Sequence, residues 1–156
     1  TDSSLELQKS TLLEDNAIEF NINFLSENPE LAFVSGAYQL LTAQGEKIPK
    51  QKDIDSKNAY ILLLKRNYIE MHATVMFKRF LFEEFQYDTR LKACEDYDLY
   101  LKVARKYSVS HHSKMLAVYR MHCSNMSGNP KLMLESVIEV LERQKPLLKS
   151  VEEENS

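Results

Sequence analysis

The sequence holds only three glycines, Gly36, Gly45 and Gly128, and they lie far apart. A phosphate-cradling loop of the Walker or dinucleotide type needs several glycines close together, so neither loop is present. Any nucleotide this chain handles is held some other way. Cysteine is equally sparse. Cys94 and Cys123 alone make neither a disulfide framework nor a zinc site, and a reduced, cytoplasmic chain is expected. No apolar run approaches the ~20 residues of a transmembrane helix, and no basic–apolar–small leader pattern opens the chain. An excess of one charge is missing too: 20 Lys and Arg against 23 Asp and Glu leave a net charge of -3, with both signs interspersed. That gives no electrostatic footprint for nucleic acid or for a polybasic membrane contact. No low-complexity tract biases the composition, and 156 residues suffice for one domain with a real core.

What is present is an alternation of helical and strand-like patterns. Residues 1–11 are polar and weakly patterned, and read as a mobile arm. From Leu12 the period turns helical: Leu13, Ala17, Phe20 and Phe24 recur at spacings of three and four, and Ile18, Ile22 and Leu25 widen the face. Asn28-Pro29 stops that helix. Leu31–Leu41 reads as a buried strand, Gln44-Gly45-Glu46 as a turn, and the segment around Pro49 as a polar connector. Helices are expected over Asn58–Asn67, Phe80–Phe85, Glu95–Tyr107 and Lys131–Lys149, and strands over Ala73–Phe77 and Val109–Tyr119. Cys123–Asn129 reads as a loop. Such alternation implies an α/β fold, a mixed sheet flanked by helices. One domain spans residues 12–150, followed by an acidic tail over 151–156.

The chemistry concentrates in Ala93-Cys94-Glu95-Asp96-Tyr97-Asp98, where three carboxylates fall in four positions at a helix start. The free N–H groups and positive dipole end of a first turn favour negative charge there. Ordinary helices often begin with acids, so this segment alone admits a structural reading as readily as a catalytic one. A carboxylate so placed is also oriented and ready to accept a proton. A second polar cluster, Tyr119-Arg120-Met121-His122-Cys123-Ser124-Asn125-Met126-Ser127, adds weight to the catalytic reading. His111 and His112 are adjacent in a strand, so their rings point to opposite faces and cannot form a joint metal site. They read as structural, as do the tyrosines and methionines at core-like spacings.

Taken in order, Asn28-Pro29-Glu30-Leu31-Ala32-Phe33-Val34-Ser35-Gly36, Met71-His72-Ala73-Thr74-Val75-Met76-Phe77-Lys78-Arg79, Asp88 before Leu91, the Glu95-Asp96 pair and the Tyr119–Ser127 cluster resemble the C-terminal half of an inverting, family-2 glycosyltransferase of the GT-A fold. The resemblance implies a partial three-layer arrangement and a set of roles. Asp96 would be the general base that deprotonates the acceptor hydroxyl, with Glu95 orienting it or touching the acceptor. His72 and Arg120 would contact the acceptor or the diphosphate. His122 would help to hold a divalent cation, Mg²⁺ or Mn²⁺, in the complete enzyme. The implied partners are a nucleotide-sugar donor and a saccharide or glycoconjugate acceptor, in the cytoplasm, free or peripheral to the inner face of a membrane.

The resemblance covers residues from about Leu12 onward. In the family a nucleotide-binding half precedes that point and ends in a metal-binding Asp-X-Asp motif. Leu7-Gln8-Lys9-Ser10 stand there instead, without a carboxylate. The chain is therefore expected to be a segment of a larger enzyme, inactive by itself. The alternative is a non-catalytic binding or scaffold module on the same fold. The strand Leu31–Leu41 is expected to present an open sheet edge, which predicts a homodimer through that edge.

Overall fold

A computed structural model describes residues 11–51, 54, 56–120 and 129–149. Of the expected arm over 1–11 only Thr11 is described, and it pairs with Tyr119 in the sheet; residues 121–127 of the second polar cluster and the acidic tail over 151–156 lie outside these residues. Five strands and five α-helices alternate: β1 (Thr11–Leu13), α1 (Ala17–Glu27), β2 (Leu31–Leu41), β3 (Lys47–Lys50), α2 (Ala59–Lys65), β4 (Met76–Phe77), α3 (Leu81–Glu84), α4 (Glu95–Lys106), β5 (Ser108–Arg120) and α5 (Pro130–Gln144). This is an α/β architecture with a mixed sheet flanked by helices.

The sheet runs β1-β5-β2-β3, with β4 also paired to β2. Its two longest strands, β2 and β5, are parallel, with His111 opposite Ser35 and Arg120 opposite Leu41. The other pairings are antiparallel. Successive side chains of β2 part to opposite faces, as the pleat requires. Phe33 joins a large cluster with Leu63, Tyr100, Val103, Val109 and Val140 on the side of α2, α4 and α5. Val34 packs with Leu25 and Leu31 beneath α1. Each such large buried side chain is worth about 1.5–3 kcal/mol in area removed from water. Gly36 lies in β2 against the His112 and Leu116 side chains of β5. A Cβ there would stand 2.5 Å from the His112 ring and 2.6 Å from Leu116, so a side chain would force one of them to move.

Four expectations change. Leu12 and Leu13 do not begin a helix: they pair with Val118 and Ala117, and Glu14 donates its N–H to the Leu116 carbonyl at 2.9 Å. The helix starts at Ala17 and buries Ala17, Asn21 and Leu25, while Ile18 and Ile22 stay exposed. The connector around Pro49 is a strand. The turn at Gly45 (φ 82°) sends Lys47–Lys50 back along β2, and Pro49 is tolerated because β3 is an edge. Only Met76–Phe77 of the strand expected at Ala73–Phe77 pairs in the sheet, because His72–Thr74 winds into a 3₁₀ turn. Thr74 closes that turn on the Met71 carbonyl with its hydroxyl, and its own carbonyl accepts from Asn21.

The fourth change concerns β2, which is no open edge. β5 covers one side, and β3 with β4 covers the other. The argument for a dimer through that strand therefore falls away. Among the described strands the outer positions belong to β1 on one side and to β3 and β4 on the other.

Candidate functional site

The turn into α4 is the strained point of the backbone. Cys94 adopts φ 64°, ψ 22°, and is the one non-glycine residue with positive φ among the described residues. A left-handed residue with a Cβ costs on the order of 1–2 kcal/mol. The surroundings hold it there, since Leu91, Ala93 and Cys94 are all buried. Burial, with the nearby charges of Asp96 and Glu95, pushes the Cys94 thiol up to about 11, so it is inert as a nucleophile. The kink sets Glu95 and Asp96, both half-buried, at the first turn of α4.

Opposite them stands His72. It shares with Tyr87, Glu95 and Asp96 an open cavity of about 380 Å³. His72 Nδ1 lies 2.6 Å from the Tyr100 hydroxyl and its Nε2 lies 3.0 Å from that of Tyr87. Behind the ring, Phe77 and Tyr100 stack at 6.2 Å and Phe33 closes the group. Burial raises the pKa of Asp96. The N–H of Tyr97, donated to Oδ1 at 2.7 Å, opposes that rise, as would a proton on His72, while Glu95 adds to it. A carboxylate with raised proton affinity is a stronger base than a solvated one. Burial, then the charges of Asp96 and Glu95, also raises Tyr87, which keeps its proton.

The third acid of the cluster goes elsewhere. Asp98 is fully buried and pairs with Lys102 at 2.5 Å and with Arg143 of α5 at 3.8 Å. Arg143 also binds Asp88 at 2.9 Å and Glu139 at 2.7 Å. Arg90 also holds Asp88, donating to Oδ1 at 2.9 Å and to Oδ2 at 2.7 Å, and the Asp88 carboxyl lies well below the usual range, with Arg90 as the main cause. Asp88 and Asp98 thus fasten α5 to the turn that carries Glu95 and Asp96. Their role is structural.

The structure therefore brings together three of the residues the sequence singled out: His72, Glu95 and Asp96. Arg120 is apart from them. It ends β5 opposite Leu41, at the far end of the sheet, and no described contact joins it to the cavity. His122 lies outside the described residues. His111 and His112 do face opposite ways: His111 meets Ser35 Oγ at 2.8 Å, and His112 donates from Nε2 to Asn21 Oδ1 at 2.9 Å. Tyr87 and Tyr100 were not singled out. Tyr100 stands four residues after Asp96, one helical turn along the same face, which is a usable signal. Tyr87 carries none.

A divalent cation does not fit the described residues. No group of three or more His, Cys, Asp or Glu is placed to hold one among them, whereas Mg²⁺ and Mn²⁺ require several oxygen ligands. What the cavity offers is proton chemistry: two carboxylates, an imidazole and a phenol, with aromatic rings behind. In comparisons with known proteins the chain matches no family model and no curated relative.

Proposed function

We propose that this chain carries the acceptor side of a sugar-transfer site, with Asp96 as general base. The observation that supports the reading is the convergence of Asp96, of raised proton affinity, with Glu95, His72 and Tyr87 on one cavity. In the reaction, an acceptor hydroxyl donates its proton to Asp96. Its oxygen bonds to the anomeric carbon of a nucleotide-diphospho-sugar from the face opposite the leaving group. The bond from that carbon to the diphosphate oxygen breaks, its electron pair leaves with the nucleoside diphosphate, and the configuration inverts. A hydroxyl is a poor nucleophile until its proton has somewhere to go, and that is what Asp96 supplies. Glu95 accepts from a neighbouring hydroxyl and orients the acceptor. Arg120, at the sheet end, is proposed for the diphosphate only. Nucleotide sugars as donors suit a cytoplasmic protein, and no helix among the described residues is long and apolar enough to cross a membrane.

A second reading, a saccharide-binding module without transfer, is supported by the open cavity that Tyr87, Glu95 and Asp96 line with hydrogen-bonding groups. One experiment separates them. Methyl glycosides are titrated while the amide and ring resonances of residues 72, 87, 95 and 96 are followed. Transfer from UDP- and GDP-sugars with Mn²⁺ is then assayed, as wild type and as Asp96→Asn, in a longer chain that joins this segment to a nucleotide-binding half. Shifts at these residues with transfer that Asp96→Asn abolishes support the enzyme. Shifts without transfer support the binding module. A folded chain on which no glycoside moves these resonances overturns both.

A further inference from the structure

The His72 ring sits between two hydroxyls of unequal standing. Tyr100 is fully buried, and its hydroxyl has His72 Nδ1, at 2.6 Å, as its one hydrogen-bond partner among the described residues. Tyr87 is half-buried at the cavity and meets Nε2 at 3.0 Å. A neutral imidazole donates from one nitrogen and accepts at the other. The neutral ring satisfies both contacts in two arrangements, and an imidazolium, donating from both nitrogens, would strand the Tyr100 O–H just as the first of them does. In one, Nδ1–H donates to the Tyr100 oxygen and Tyr87 donates to Nε2. The Tyr100 O–H is then stranded in the core with no acceptor, which is the costly outcome for a buried donor. In the other, Tyr100 donates to Nδ1 and Nε2–H donates to the Tyr87 oxygen. The proton without a partner is then that of Tyr87, at an open cavity where water or a ligand accepts it.

We infer that burial of Tyr100 locks His72 as the Nε2–H tautomer, so that Tyr87 presents a free O–H to the cavity as a ligand-binding donor. Asp96 and Glu95 bring only acceptors to the same space. A group that donates to a carboxylate while accepting from Tyr87 is a neutral hydroxyl, and an anionic group is disfavoured beside the two acids. Tyr87 therefore binds the hydroxyl whose proton Asp96 receives and holds its oxygen in place. The ligand class rests on the acceptor-side reading above. The tautomer rests on the hydrogen bonds alone.

The test has two arms. Long-range proton–nitrogen correlation spectra of the imidazole ring report the tautomer directly. The wild type and Tyr87→Phe are expected to show Nε2–H, because Tyr100 still sets it, and Tyr100→Phe is expected to show a mixture. An Nδ1–H ring in the wild type, or a mixture there, overturns the inference. Tyr87→Phe alters a half-exposed ring, so it decides the matter even where Tyr100→Phe fails to fold. In the second arm, methyl glycosides are titrated against the wild type and Tyr87→Phe, with about tenfold weaker binding expected in the variant. Equal binding overturns the role of Tyr87 as donor. Nε2–H with no glycoside bound to either protein overturns the ligand class, and the acceptor-side reading with it, while the tautomer stands.

Discussion

The first turn of α4 holds three carboxylates in four positions, and the fold treats each one differently. Glu95 lines the cavity, Asp98 is consumed by an ion pair in the core, and Asp96 is half-buried with its pKa raised. The sign of that shift has a thermodynamic consequence. A carboxylate whose folded pKa lies above its unfolded one binds its proton more tightly in the folded state. It therefore stabilises the fold less as pH rises through that window, from just below 4 upward. At neutral pH ionised Asp96 is a standing cost. Asp96→Asn removes the charge and keeps an oxygen for the Tyr97 N–H, so its melting temperature at pH 7 should match or exceed that of the wild type. Its decline in stability between pH 4 and 7 should also be shallower. Thermal melts across that range check this, and a variant several degrees less stable at pH 7 would place Asp96 among the structural acids. This is the trade expected of a group kept for chemistry rather than for the fold. Much of it was readable from the sequence. The Glu95-Asp96 pair stood out by residue type, His72 was singled out only by the family resemblance, and the hydroxyl of Tyr87 acquires meaning only when a distant turn lays His72 between it and Tyr100.

Elements became legible where the local pattern was strong, and they misled where a distant partner decided. The apolar run of β2 and the period of α4 could be read directly because their own burial dictates them. The strand at Leu12-Leu13 looked helical because its leucines extend the period of α1, and only pairing with Val118 and Ala117 makes it extended. Lys47–Lys50 is polar and contains proline, and it becomes a strand because the Gly45 turn delivers it to β2. Element docking has its own pH signature at His112, which ties β5 to α1 through Asn21, while Asn21 in turn reaches the Thr74 carbonyl. The ring is wedged against Phe20 and Phe24, and its burial lowers the pKa to about 4, with the charge of Lys114 adding to the effect. A depressed histidine favours the fold while neutral. Stability is complete above the ordinary value of 6.5 and falls as pH drops toward 4, where the unfolded chain takes up a proton that the folded chain refuses. Discounted for the partial exposure of the ring, the loss is on the order of 1–2 kcal/mol across that window. His112→Gln keeps a donor for Asn21 and removes the titration. Urea denaturation at pH 7 and pH 4.5 should show a clearly smaller difference for the variant than for the wild type.

Across the whole molecule, Arg143 is the connection that makes α5 part of the body that carries the cavity. It reaches Asp88 in the segment before α4, Asp98 inside α4 and Glu139 on its own helix. These contacts differ sharply in worth. The Lys131–Glu135 pair on the exposed face of α5 is 3.9 Å apart, with both side chains largely in solvent, and such pairs contribute 0–1 kcal/mol. Asp98 is different because its side chain is only 1% exposed. Removing a partner of a buried charge typically costs 3–5 kcal/mol, since the remaining charge stays desolvated. Lys102 still faces Asp98, so the expected loss for Arg143→Met is nearer about 2–3 kcal/mol, against less than about 0.5 kcal/mol for Lys131→Ala. If the loss arises from the stranded carboxylate, Asp98→Asn should relieve it. The double variant Arg143→Met/Asp98→Asn should then be more stable than the sum of the single changes by at least about 1 kcal/mol. Urea denaturation of the four proteins measures this directly. Strict additivity would mean that Arg143 acts through Asp88 and the surface alone. Positive coupling would mean that the third acid of the cluster is what fastens α5 to the floor of the site.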